Sequence, residues 1–421
     1  MSSTGGPTDD AKHSICQTAW RALAQDRPQE AVEALAPFAE QTRDDEELAR
    51  VWSAMMGWVD DIDHLERELR RLARSWAATP TVVLEMSRSI SRVWSRREGP
   101  LPFAARESVV GLGVDILDVC ISEAPPPKPE DRAALYRQRA ALLALAGPLG
   151  DERALSDLDV ALSLTPDDAA GWFQLARLHL ARGRWEKSAL ATEQALAHGY
   201  DELRGGWNLA VALTAHAPKR PPEVRSLKAA WSLAGHEAFS EASVTDQSGR
   251  EVAGGLDKIL VSLHSQMVSL GGWDLEREWS SEVVWVQPLS PCHGRVIHPT
   301  ITQLPADFDD LILWDPHPTR FERIEGEERP IMSALAILER GAAISRPLPR
   351  PVLDEARLRA LNEALPQGVF FDQPPLDAVQ THQRGEESVS LSGKICWPRS
   401  LSAHEVMKRF EEAWRVIYDA P

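Results

Sequence analysis

Residues recur at a spacing of 34 along the middle of this 421-residue chain. Ala161-Leu162 is followed 34 positions later by Ala195-Leu196, and Ala195 by Ala229; Leu175-Ala176 is followed in the same way by Leu209-Ala210. Thr165-Pro166-Asp167-Asp168 aligns at that offset with Gly199-Tyr200-Asp201-Glu202. A fixed period of this length marks an array of small units, none of which buries its apolar face alone, so each unit packs on its neighbours. The intervening pattern is amphipathic helix, with apolar residues three and four apart, short breaks and almost no strand signal from Ser14 to Phe239.

The spacing and the residues together resemble the tetratricopeptide repeat (TPR) family. Trp172, Leu175-Ala176, Gly183 and Ala195 meet its order of bulky, Leu-Ala, small and late Ala positions. Tyr136, Ala140, Gly147, Ala154, Ala161 and Pro166 form the preceding unit, with about two residues inserted after Gly147. Leu209-Ala210 and Ala229 continue it, and Pro221-Pro222 marks a degenerate terminal unit, so the resemblance covers about residues 131–238. It implies an α-solenoid of helical hairpins whose first helices line a concave face. On that phasing Arg137, Phe173, Arg177, Arg204 and Trp207 face the groove. Arginine forks pair bidentately with carboxylates and rings bury peptide side chains, so such a groove suits a protein partner offering an acidic or C-terminal peptide segment. The same residues also fit a plainer reading, as solvated arginines and aromatics packed inside the repeat.

The rest of the chain divides around this array. Residues 1–13 read as a flexible tail, 14–124 as divergent helical hairpins, 125–130 as a Pro-rich spacer and 131–240 as the TPR-like repeats. The polar, turn-rich stretch near Glu241 to Gly249 is the expected boundary before a domain at 250–421. A formal charge of −17 argues against general binding to nucleic acid or anionic membrane, and no run approaches the roughly 18 apolar residues of a membrane helix. Cys16, Cys120, Cys292 and Cys396 lack paired spacing and read as reduced thiols. With no signal peptide evident, the expected location is the cytoplasm. Only eight of the 46 basic residues are Lys, which points to a high-GC bacterial source.

The expected C-terminal domain is α+β, built on a small, mainly antiparallel sheet. Strands are predicted at Glu282–Gln287, Gly294–Ile297, Asp310–Trp314, Arg320–Ile324, Val369–Phe371 and Ser388–Cys396. Helices are predicted at Gly255–Val268, Met332–Arg340, Asp354–Ala364 and Ser402–Tyr418. Its densest chemistry is PLSPCHGRVIHPT followed by ADFDDLILWDPHPTR. A Cys292 nucleophile would need a base from His298, His317 or His382, because His293 as its chain neighbour points the other way on an extended strand. Cys292 or Cys396 with His293, His298 or His317 has the residue types of a metal site without its fixed spacing. The third reading makes Cys292 a buried apolar residue, with the histidines and aspartates satisfying turns. Asp307, Asp309 and Asp310 read as turn caps.

No phosphate loop, HExxH, GxSxG or EF-hand pattern is present, and no cofactor is expected. The reading is therefore an adaptor that binds a partner through its solenoid, with a C-terminal recognition module. The alternative is an enzyme or metal-binding protein centred on Cys292, His293 and His317, to which the solenoid brings a protein substrate. The 15 Trp residues, nine of them in the helical half, are expected mainly between helices, with Trp207 in the groove and Trp285 and Trp314 in the C-terminal core.

Overall fold

A computed structural model describes residues 9–25, 27–58, 61–96, 103–123, 128–145, 150–216, 229–230, 243–245, 251–253, 259–264, 281–300, 304–324, 327–373 and 393–418. The chain divides into two compact units, Met1–Leu178 with Leu190–Tyr200, and His179–Ala189 with Asp201–Pro421.

The first unit is a run of helical hairpins: α1 (Asp9–Ala24), α2 (Pro28–Leu35) with a 3-10 turn at Ala36–Arg43, α3 (Glu46–Met56), α4 (Ile62–Trp76), α5 (Pro80–Arg96), α6 (Phe103–Glu123), α7 (Pro129–Leu145) and α8 (Asp151–Leu164). Helices α9 (Ala169–Ala181) and α10 (Trp185–Ala197) each have residues in both units. Local chemistry sets the helix starts. The Asp45 carboxylate accepts from Leu48 N at 3.1 Å, the Asp61 carboxylate accepts from Asp63 N and His64 N at 3.0 and 3.1 Å, and Pro28 opens α2. Buried Leu65, Leu69 and Leu72 recur on one stripe of α4. At roughly 1.5–3 kcal/mol for each large side chain buried, such stripes are what hold the hairpins together.

First helices stack on first helices, α3 on α5 and α5 on α7, around a continuous core that includes Leu48, Met56, Met86, Ile90, Leu117, Leu142 and Ala176. The indoles fill and tie this stack. Trp52 Nε1 donates to Glu68 Oε2 at 3.0 Å, Trp76 Nε1 to Thr42 O at 2.7 Å and Trp172 Nε1 to Pro166 O at 2.9 Å. Gly183 ends the turn between α9 and α10 at φ +66°, which favours glycine.

The second unit begins at helix α11 (Glu202–His216), which packs on its β6 strand (Leu311–Ile324). A short hairpin, β1 (Ser243–Thr245) with β2 (Glu251–Ala253), precedes a closed barrel in place of the expected small sheet. The barrel runs β3 (Ile259–His264), β4 (Ser281–Ser290), β5 (His293–Val296), β6 and β7 (Glu327–Glu339). Successive strands are antiparallel, and an odd-numbered meander can close only through a parallel pair. Here β3 pairs with β7 in parallel, Leu260 opposite Ile331 and Ser262 opposite Ser333.

Two segments predicted as helices are barrel strands. Met332–Arg340 carries strong helix formers, yet it lies mostly in β7, and Ile259–His264 is a strand inside the predicted helix 255–268. The reason is steric. Ala334 stands opposite Trp314 and Ala336 opposite Leu313, so the small residues that read as helix formers make room for the fully buried indole in a narrow barrel. Predicted strands 310–314 and 320–324 are one strand, β6.

Beyond the barrel, β8 (Ala343–Leu348), β9 (Phe370–Asp372) and β10 (Gly393–Pro398) form a three-stranded antiparallel sheet in the order β8-β10-β9. Helices α12 (Glu355–Ala364) and α13 (Ala403–Tyr418) supply Leu361, Val406, Phe410 and Trp414 to its core with Phe371, Ile395 and Trp397. Barrel and sheet share a polar junction. Lys394 Nζ of β10 donates to Thr300 Oγ1 at 3.1 Å and to Asp307 Oδ2 at 2.9 Å. Arg340 Nη1 and Gly341 N both donate to the Asp310 carboxylate at 2.8 Å, and Ala342 N donates to Asp309 Oδ2 at 2.8 Å. The three aspartates thus serve turn and junction.

Candidate functional site

The stacked first helices α5, α7 and α9 present the densest patterned chemistry of the first unit. Arg88, Ser91 and Arg92 lie at i, i+3 and i+4 on one face of α5, with Glu85 one turn earlier. Glu85 is 6% exposed and forms ion pairs with Arg88 Nη1 at 2.5 Å and with Arg92 Nη2 at 3.8 Å. Gln138 Nε2 of α7 donates to Ser91 Oγ at 3.2 Å, and Gln174 Nε2 of α9 donates to Arg137 O at 2.9 Å. These bonds run from helix to helix along one surface.

Charge is segregated between the two helices of the three hairpins α5/α6, α7/α8 and α9/α10. The first helices α5, α7 and α9 hold seven arginines and three acids, Glu85, Glu130 and Asp131. Residues 103–123, 151–164 and 185–197, in the second helices α6, α8 and α10, hold ten acids and three basic residues. In a chain of net charge −17, the first helices are the cationic stripe. Some of that charge is used internally: Arg139 binds Asp157 and Asp118 at 2.6–2.8 Å, pinning α7 to α8 and α6, and this pairing pushes its guanidinium above its ordinary range despite burial.

Of the residues expected in a groove, Arg137 pairs with Asp168, whose other oxygen accepts from Ala170 N at 3.1 Å at the start of α9. Phe173 stacks on Tyr200, ring centres 4.1 Å apart. Arg137 and Phe173, at matching places in consecutive repeats, each contact a residue of the loop that leads to the next repeat and stay part-exposed. Arg177 is exposed on α9. Arg204 and Trp207 belong to α11 in the second unit, where Arg204 N donates to Asp201 Oδ1 at 2.7 Å, and Trp207 is half-buried. Arg88 and Arg92 escaped the repeat phasing because α5 lies outside the recognisable period. The contrast in charge between alternate helices was the signal that could have found them.

The second candidate is the β4–β5 turn. Ser290 Oγ accepts from Cys292 N and His293 N, both at 3.1 Å, and contacts His293 Nδ1. Cys292 is fully buried beside Thr214 of α11, and burial pushes its thiol up to about 12. Burial pushes His293 down to about 4, with Arg295 adding to the effect. A protonated thiol sealed from solvent is a poor nucleophile, and the imidazole meets a serine instead of the sulfur. His298 lies elsewhere, 3.7 Å from Asp372 of β9. Cys396 is buried on β10, its thiol also raised to about 12 by burial. His317 falls on β6 with its side chain outside the described residues, as does the whole of His382. Among the described residues, no three His, Cys, Asp or Glu side chains gather as metal ligands, and no helix is long and apolar enough to cross a membrane.

No family model and no curated protein matches the chain. Among solved structures, TTC0263, a thermophilic TPR protein in Thermus thermophilus, is similar over 48% of this chain and 99% of its own at 18% identity, with a TM-score of 0.38. A MamA crystal structure is similar over 42% of this chain and 91% of its own at 13% identity and a TM-score of 0.31. Another MamA structure covers 56% of this chain and 99% of its own at 10% identity and a TM-score of 0.33. Likeness at this level says nothing about activity or partner. Within the chain itself, the hairpins α7/α8 and α9/α10 are TPR-like in period and helix order.

Proposed function

We propose that this protein is an adaptor whose first-helix surface on α7 and α9 holds an acidic segment of a partner protein. The segregation of charge, seven arginines against three acids on three successive first helices while the second helices hold ten acids against three basic residues, is the observation that carries this reading. Guanidinium groups on a low-dielectric helical surface attract carboxylates and hold them by paired N–H donors. Asp168 fixes the Arg137 guanidinium, so less side-chain entropy is lost when a second carboxylate approaches. The stacked Phe173–Tyr200 pair supplies a flat apolar neighbour for the segment's side chains. The barrel and its companion sheet would form a separate recognition module, and the cytoplasm is the setting this chemistry suits.

The test is binding of a fluorescein-labelled octaglutamate peptide by anisotropy. A micromolar dissociation constant that weakens with salt is expected, and Arg177→Glu should weaken it about tenfold or more, since it replaces attraction by repulsion. Arg204→Glu, tested alone, measures any share carried by α11. Binding unchanged in Arg177→Glu, or absent in the unmodified protein, refutes the reading.

A further inference from the structure

We infer that the acidic-segment surface extends one helix beyond the recognisable repeats, onto α5, where Arg88 and Arg92 form a third carboxylate subsite. This rests on the function proposed above and adds the length and charge spacing of the ligand. Three observations support it. Arg88 and Arg92 share one face of α5, with side chains 44% and 39% exposed. Glu85, a buried carboxylate, pairs with Arg88 at 2.5 Å and lies 3.8 Å from Arg92, whose Nη1 also donates to Ala54 O of α3 at 3.4 Å, so both guanidinium groups are positioned by neighbours while their side chains stay part-exposed. The Ser91–Gln138 and Gln174–Arg137 hydrogen bonds place this face of α5 in series with those of α7 and α9.

Three arginines on this surface, Arg88, Arg92 and Arg137, are set against two internal acids, Glu85 and Asp168. A buried acid between two cations is poor as a stability device, because desolvating it cancels most of the attraction. It is effective as a mount, since it restricts two long side chains that would otherwise lose entropy on binding. Neighbouring packed helices lie about 8–10 Å apart, and an extended chain advances about 3.3 Å per residue, so successive subsites are about three residues apart. The occupant is therefore an extended segment of about seven residues carrying an acid at every third position.

The experiment compares two labelled peptides, Glu-Ala-Ala-Glu-Ala-Ala-Glu with three acids and Glu-Ala-Ala-Glu with two, on the full-length protein. The three-acid peptide should bind the unmodified protein about tenfold more tightly, as one added charge-assisted contact supplies. In Arg88→Ala/Arg92→Ala that advantage should vanish while two-acid binding stays within about twofold. Arg88→Gln/Arg92→Gln, which keeps the side-chain stems, replaces it if circular dichroism shows the alanine variant unfolded. Equal affinity of both peptides for the unmodified protein, or an advantage that survives in the variant, overturns the α5 subsite while leaving the function standing if Arg177→Glu still weakens binding about tenfold or more. Failure of both peptides to bind the unmodified protein overturns the two together.

Discussion

His293 makes the barrel acid-labile, and the size of the effect follows from its hydrogen bonds. Ser290 Oγ accepts two N–H bonds, so its own hydrogen has two places to go, His293 Nδ1 or the weaker acceptor Cys292 Sγ at 3.6 Å; the nitrogen is the better acceptor, and Nδ1 is then unprotonated. Protonating the ring puts a second donor against an oxygen with no lone pair to offer. Burial and Arg295 act in the same direction, lowering the value from 6.5 to about 4. The unfolded chain therefore takes up this proton first as pH falls. The contribution to stability is whole above pH 6.5 and lost as pH passes down through about 4. At about 1.4 kcal/mol per unit, the shift is worth at most about 3 kcal/mol, less any solvent screening of a ring that is not wholly buried.

Cys292, next in sequence and fully buried, reports the opening. Its thiol reacts with 4,4′-dithiodipyridine only when the turn opens, and mass spectrometry separates its peptide from those of Cys16, Cys120 and Cys396. Between pH 6.5 and 4 the Cys292 labelling rate, corrected for the reagent's own pH dependence, should rise up to about a hundredfold more in the unmodified protein than in His293→Gln. Carboxylates titrate over the same range in both proteins and cancel in the comparison. The same pH dependence in both would refute the assignment of a neutral, acceptor His293.

Two further outcomes concern the junction of barrel and sheet, read by hydrogen exchange of peptides covering 304–312 and 393–398. Lys394→Met should cost about 2–3 kcal/mol, because it strips the partner from a partly buried Asp307, and adding Asp307→Asn should restore at least half of the loss. Gly341→Ala should cost about 2 kcal/mol or more, since its Cβ would stand 2.6 Å from the carbonyl carbon of Asp309, a residue already at φ +68°.

The helical half was legible because each helix declares itself locally. The ends at Asp45, Asp61 and Pro28 have their own capping chemistry, and Leu65, Leu69 and Leu72 mark the buried stripe without reference to distant residues. The barrel was not, since its strands are specified by what they meet. Ser333 to Leu338 has the composition of a helix, and only Trp314, some twenty residues upstream in sequence, explains why Ala334 and Ala336 are small. The predicted strands that survived, such as 282–287 within β4, are the β-branched ones whose local preference agrees with the barrel. Closure could not be read locally either, because the β3–β7 pairing joins segments about 70 residues apart.

Charge segregation explains why binding belongs on the first helices. In a stack of hairpins the apolar faces of both helices are consumed by packing, so what distinguishes one exposed surface from the other is its polar residues. If those residues served solubility alone, both surfaces would carry mixed signs, as surface ion pairs contribute little to stability and favour neither side. Here the second helices α6, α8 and α10 are acidic and the first helices α5, α7 and α9 basic, in a chain whose overall charge is strongly negative. The acidic side repels an acidic segment and the basic side attracts it, so orientation is set before contact. The internal acids Glu85 and Asp168 then convert that attraction into geometry: they weaken the long-range field and hold the arginine forks in place. A surface meant only to attract would lack them, and a surface meant only to be stable would have no need of the arginines that remain exposed.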